Sequence, residues 1–198
     1  MRFVYILASI IAITIIFTSC HQSKNTRDAT MENQNIIDTK SFSVATDSTE
    51  LNTSVKGTIF IEGKKEIPEH IQIVAFIDID DNDWGGIEFY IPKKWDISKI
   101  ISSYPENKSQ IKPEDYVVTL TTKSEKYKWD KFIQIGYEES YMQTVGGTGT
   151  IVIDLNVDKD KIKQLDKSNI TIVVGSDEKK GIKIKGTDSV SIDIDIPK

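Results

Sequence analysis

The densest chemistry in the chain lies in Asp78-Ile79-Asp80-Asp81-Asn82-Asp83-Trp84-Gly85-Gly86, where four carboxylates fall within six residues at the end of an apolar run. Calcium prefers roughly six to eight oxygen ligands, and a short acidic loop can present several together. Asp78, Asp80 and Asn82 occupy alternate positions and, with Asp83, form the candidate ligand set. A calcium loop that starts this way needs glycine at its sixth position and a bidentate glutamate at its twelfth. Asp83 and Phe89 stand there instead, with Glu88 one residue early. The alternatives are a structural calcium in some other geometry and a solvated acidic turn, whose Asp and Asn side chains hydrogen-bond the turn backbone.

Trp84, Trp95 and Trp129 are the candidate ligand-binding aromatics, because an exposed ring face can stack on a sugar ring. The alternative for each is partial core burial with the indole N–H satisfied. Tyr90, Tyr104 and Tyr141 carry the same two readings. Gly146-Gly147-Thr148-Gly149 is followed by a strand pattern. A phosphate cradle needs a helix there, so these glycines suit a hairpin or bulge. A nucleophile–base set is missing. His21 adjoins Cys20, His70 precedes a strand, and there is no Gly-x-Ser-x-Gly elbow. Glu88, Glu138 and Glu139 could furnish the carboxylate pair of a glycoside hydrolase, given a suitable cleft. The expectation is that the chain is not an enzyme.

Elements that could position these residues read as strands. From Val55 onward the apolar period is two. Ile71, Ile73, Ala75 and Ile77 share one face, as do Ile151, Ile153, Leu155 and Val157, and again Ile192, Ile194 and Ile196. Further strands are expected at 58–61, 87–91, 116–122, 132–137, 170–174 and 182–185. Two short helical turns are expected, one capped by Asp96 through Ile97, Ile100 and Ile101, one capped by Asp158 over Lys159–Leu165. No long helix alternates with the strands. The expected fold class is all-β, a two-sheet antiparallel β-sandwich of the Ig-like or cohesin-like kind, with one or two short helical turns.

The formal net charge is −5, and lysines and acids are mixed along the chain with no basic block. A nucleic-acid partner needs a clustered cationic face, so none is expected. Strong attraction to anionic lipid headgroups is not expected either.

Arg2 precedes an apolar run from Phe3 to Phe17, fifteen residues, and Phe17-Thr18-Ser19-Cys20 follows. As a helix the run reaches about 22 Å at the usual rise, short for a bilayer span but right for an export signal. The four closing residues resemble the lipobox of bacterial lipoproteins, with Phe17 where leucine is usual. That resemblance implies cleavage after Ser19 and diacylglycerol modification, with acylation, of Cys20, which carries the only thiol. An uncleaved signal anchor is the alternative. Residues 20–53 are polar, with Phe42 their one aromatic, and read as the lipidated Cys20 and a disordered tether, to which Ile36-Ile37 and Phe42–Ala45 could add an edge strand. Residues 1–19 would be the signal peptide and 54–198 a single sandwich domain.

The folded part also loosely resembles the cohesin-like and carbohydrate-binding β-sandwiches of bacterial surface proteins, in strand count, in the Gly147-Thr148-Gly149 lead into an Ile/Val strand, and in the lipoprotein setting. By that likeness the expected function is a lipid-anchored, extracytoplasmic binding or adhesion module for a protein or glycan. It would sit on the cell membrane or outer membrane as a monomer. No cofactor is expected, structural calcium being the one candidate. The alternatives are a small envelope-associated hydrolase and a structural envelope protein.

Overall fold

The computed structural model describes residues 35–47, 51–83, 85–106, 113–136, 146–158, 168–175, 178–179, 182–183 and 188–194. The expected leader, Cys20, Trp84, Glu138, Glu139, Tyr141 and the expected turn at Lys159–Leu165 lie outside the described residues.

The fold is all-β, with two antiparallel five-stranded sheets packed as a sandwich. In chain order the strands are β1 (Asn35–Ala45), β2 (Ser54–Lys64), β3 (Ile67–Ile79), β4 (Ile87–Pro92), β5 (Trp95–Ser102), β6 (Val117–Thr121), β7 (Trp129–Ile135), β8 (Gly147–Val157), β9 (Ser168–Val174), β10 (Glu178–Lys179), β11 (Ile182–Lys183) and β12 (Asp188–Ile194). The first sheet runs β1-β2-β3-β8-β5 and the second β12-β9-β4-β7-β6, while β10 and β11 pair as a small hairpin. Among the described residues the only helical piece is a 3-10 turn at Pro113–Tyr116.

Isoleucine makes the core. Ile71, Ile73 and Ile77 on β3 meet Ile151, Ile153 and Leu155 on β8, and from the other sheet Ile87, Phe89, Ile91, Ile133, Ile135, Ile170 and Ile172 face them. Each side chain so buried contributes about 1.5–3 kcal/mol relative to exposure. β-Branched side chains suit these positions because the pleat already restricts their rotamers. Gly149 lets Tyr104 lie against β8: a Cβ there would come within 2.5 Å of the Tyr104 Cα.

Two expectations are corrected. The helical turn capped by Asp96 is strand β5. A bulge between Ile97 and Lys99 shifts the register, so Ile97 opposes Leu155 and Ile100 opposes Ile153, both facing inward despite their i, i+3 spacing. The tether does not extend to residue 53. β1 occupies Asn35–Ala45 and pairs along its length with β2, with Phe42 and Val44 buried. Leu51 and Thr53 are buried as well.

Candidate ligand-binding face

Alternation fixes what each strand of the second sheet shows to solvent. Ile87, Phe89 and Ile91 of β4 point into the core, so Glu88 and Tyr90 point out. On β7, Ile133 and Ile135 point in while Phe132 and Gln134 point out. The register sets Tyr90 opposite Phe132 and Glu88 opposite Gln134.

Strict alternation would send Trp129 inward with Ile133. A register shift prevents this: Ile91 opposes Lys131, yet Pro92 opposes Trp129, leaving Asp130 as the extra residue. A bulge of this kind re-aims the side chain beyond it. The Trp129 ring therefore lies on the outer face, 4.7 Å from Tyr90 and 5.6 Å from Phe132 between centroids. Tyr127 stacks on Trp129 at 4.6 Å with 17° between planes, and Tyr90 stacks on Phe132 at 5.5 Å. Tyr127 is 42% exposed, and Leu120, opposite Phe132 on β6, is 40% exposed.

Polar groups flank these rings. The Glu88 carboxylate accepts a hydrogen bond from the Tyr90 hydroxyl and one of 3.0 Å from Gln134 Nε2. On the other side of Tyr90, the Thr171 and Ser191 hydroxyls bond each other at 2.9 Å. The result is an apolar, π-rich strip edged by a fixed carboxylate, an amide and hydroxyls. Such a strip can hold a ring by stacking and orient its hydroxyls by hydrogen bonds.

The tryptophans thus separate. Trp129 joins the strip, while Trp84 lies outside the described residues. Trp95 is corrected as a ligand platform: it opens β5 opposite Val157, is fully buried, and its indole N–H finds no partner among the described residues. Tyr104 is likewise buried in the core. Its pKa is pushed well above the usual range, first by burial and then by the charges of Asp81, Asp83 and Asp78 and by Tyr116. Sequence reasoning missed Phe132 and Tyr127 as partners of Trp129. The i, i+2 spacing of Tyr127 and Trp129 was the available signal.

The acidic residues are not gathered as a ligand set. Asp78 sits exposed on the outer face of the first sheet, whereas Asp83 is 1% exposed. Asp80 accepts the Asn82 amide at 2.8 Å and the Asn52 amide at 3.1 Å. Asp83 Oδ1 accepts the Gly85 amide at 2.8 Å. These are turn-holding roles. Among the described residues no three His, Cys, Asp or Glu side chains group as metal ligands.

Hydrogen bonds, above all from the Asn82 backbone, outweigh burial and hold the Asp80 pKa below the usual aspartate value of 3.8. A depressed folded pKa means the stabilisation is fully present above that value and fades as pH falls through the lower one. Thermal melts of wild type and Asp80→Asn should therefore differ most near neutrality and converge in acid. A gap that stayed constant from neutral pH down to acid would remove the ionised carboxylate from this account.

His70 lies away from the strip, on the outer face of the first sheet. Its Nδ1 is 3.1 Å from Glu62 Oε2 and its Nε2 is 3.6 Å from Asp154 Oδ1, while Gln72 Nε2 donates to the same Asp154 oxygen at 3.0 Å. The pairing anchors the ring between two carboxylates.

No protein-family model, curated protein or solved structure matches this chain.

Proposed function

We propose that this chain is a lipid-anchored extracytoplasmic lipoprotein whose sandwich, acting as a monomer, binds a glycan on the outer face of its second sheet. One observation carries the binding reading: Tyr127, Trp129, Tyr90 and Phe132 form a continuous aromatic strip beside Glu88 and Gln134. A sugar ring presents C–H faces and a rim of hydroxyls, and the strip offers the matching π surface and acceptors. The reading is of a binder rather than a catalyst. Glu88 is engaged by Tyr90 and Gln134, and His70 by its carboxylates, on opposite faces of the molecule.

Affinity electrophoresis in gels containing soluble polysaccharides tests the glycan reading. Retardation by at least one polysaccharide is expected, and it should be lost in the Tyr127→Ala/Trp129→Ala variant. Migration unaltered by any glycan in a broad panel would sink it, and capture of a protein through the same strip would replace it.

The anchor rests on the Phe3–Phe17 run and Cys20. Two or more acyl chains hold a protein stably where one is marginal. Labelled palmitate should enter the wild-type chain and not Cys20→Ala. A Cys20→Ala chain still held in the membrane would favour an uncleaved signal anchor.

A further inference from the structure

The sandwich has two chemically different ends. At one end the β2–β3 turn, the β4–β5 turn and the β6–β7 hairpin hold Lys64, Lys65, Lys93, Lys94, Lys123, Lys126 and Lys128, with Glu66 and Glu125 as the acids of those connections. Asp158, just after β8, donates its backbone N–H to the Lys94 carbonyl. Just inside, Asp96 and Asp130 are both paired with Lys131 at 3.0 Å. At the other end the described connections carry Asp47, Asp80, Asp81, Asp83, Glu106 and Asp115, and their described lysines, Lys179 and Lys183, lie on the β10–β11 hairpin beside Glu178. Two apolar side chains protrude at the lysine end: Ile36, 55% exposed, and Ile67, 44% exposed. β1 begins there too, since Asn35 opposes Gly63 beside the β2–β3 turn. The chain leading from Cys20 therefore joins the fold at its lysine end. The fourteen residues between Cys20 and Asn35 can span at most about 50 Å.

We infer that the lysine-bearing end of the sandwich docks on the anionic headgroup layer of the membrane in which Cys20 is anchored, with Ile36 and Ile67 at the headgroup boundary. The inference rests on the lipid-anchor reading. A bilayer is favoured over a chain-like ligand because the lysines come from connections spread across both sheets, over about 20 Å at the usual interstrand spacing. That is a broad front rather than a groove. Each lysine brought to an anionic surface raises partitioning by about fivefold. The tether raises the local concentration of this end at the bilayer, and once docked its lysines lie within about 8 Å of the headgroups, the screening length at physiological salt. Docking leaves the acidic end pointing away from the membrane.

The test uses the full lipidated chain in vesicles of phosphatidylcholine, with and without phosphatidylglycerol, read by lysine acylation and mass spectrometry. Lys56 and Lys99, exposed on the outer face of the first sheet, are internal references. Labelling of Lys64, Lys65, Lys93, Lys126 and Lys128 should fall several-fold only with phosphatidylglycerol, and about 0.5 M salt should restore it. A Lys64→Glu/Lys65→Glu/Lys126→Glu/Lys128→Glu variant changes exposed side chains, so it should melt as wild type and lose protection at Lys93. Uniform labelling in phosphatidylglycerol vesicles, or equal protection in pure phosphatidylcholine, would overturn the inference. Protection by an acidic polysaccharide but not by anionic vesicles would overturn it in favour of a glycan occupant. Should intact mass show no lipid on Cys20, the anchor reading fails separately. Cosedimentation of the unlipidated chain with anionic vesicles then decides docking, and its absence overturns the inference.

Discussion

Removing Tyr127 and Trp129 together should lower glycan affinity by roughly tenfold to a hundredfold or more, since a stacked aromatic is worth about 1–3 kcal/mol by alanine substitution where flat ligands are bound. The loss should be larger for Trp129→Ala than for Tyr127→Ala. Trp129 supports both the tyrosine that covers it and the edge of Tyr90, at 4.6 and 4.7 Å, so its removal loosens both platforms. Tyr127→Ala deletes the most exposed ring and leaves the Tyr90–Trp129–Phe132 arrangement in place. Glu88→Gln should separate orientation from stacking: it keeps a hydrogen-bond acceptor but removes the charge that holds Tyr90 and Gln134. A partial loss of affinity with a changed preference among sugars is expected. Calorimetry on each variant, with melts to show intact folding, measures the effect. Equal binding by wild type and the double variant would move the site off this face.

Most of the fold was legible because isoleucine alternation survives in strands that bury one face. β3, β8 and β12 each show it over many residues. The failures share a cause. At β5 and at the start of β7 a single extra residue breaks the period of two. In β5 the bulge makes Ile97 and Ile100 neighbours on the inner face and imitates helical spacing. In β7 it turns Trp129 to solvent, so the strip could not be assembled from alternation. β1 was legible only in fragments, as the optional edge strand at Ile36-Ile37 and Phe42–Ala45, for another reason. An edge strand needs only Phe42 and Val44 inward, and Thr39, Ser41 and Ser43 between and before them make the rest of the segment read as polar tether. The lysine end was invisible for a third. Its cations come from three turns separated by whole strands, and only the sheet topology brings those turns to one end. A chain with mixed charge along its length can therefore be polar in space.

The extent of the domain gives the other large effect. A chain beginning at Ser54 should fail to fold stably, whereas one beginning at Gln34 should melt like the full protein. The shorter chain loses the ten backbone pairings of β1 with β2 and lays bare the whole edge of β2. Unpaired apolar edges of this length template aggregation. It also loses Phe42, which meets Phe89 edge-on at 6.4 Å across the two sheets. Emptying a buried phenylalanine site costs about 3–5 kcal/mol, a large share of the 5–15 kcal/mol that about holds a domain together. Phe42→Ala in the full chain isolates that part and should lower Tm by about 10 °C. Gly57 makes the position sensitive to overfilling as well, because the Phe42 ring lies over it, 2.8 Å from where a Cβ would stand. Gly57→Ala should therefore destabilise through the same contact, and more so because the Val74 carbonyl lies 2.3 Å away on the other side and cannot yield. Size-exclusion profiles and melts of the two truncated chains decide the matter. A monomeric, cooperatively melting chain from Ser54 would return β1 to the tether.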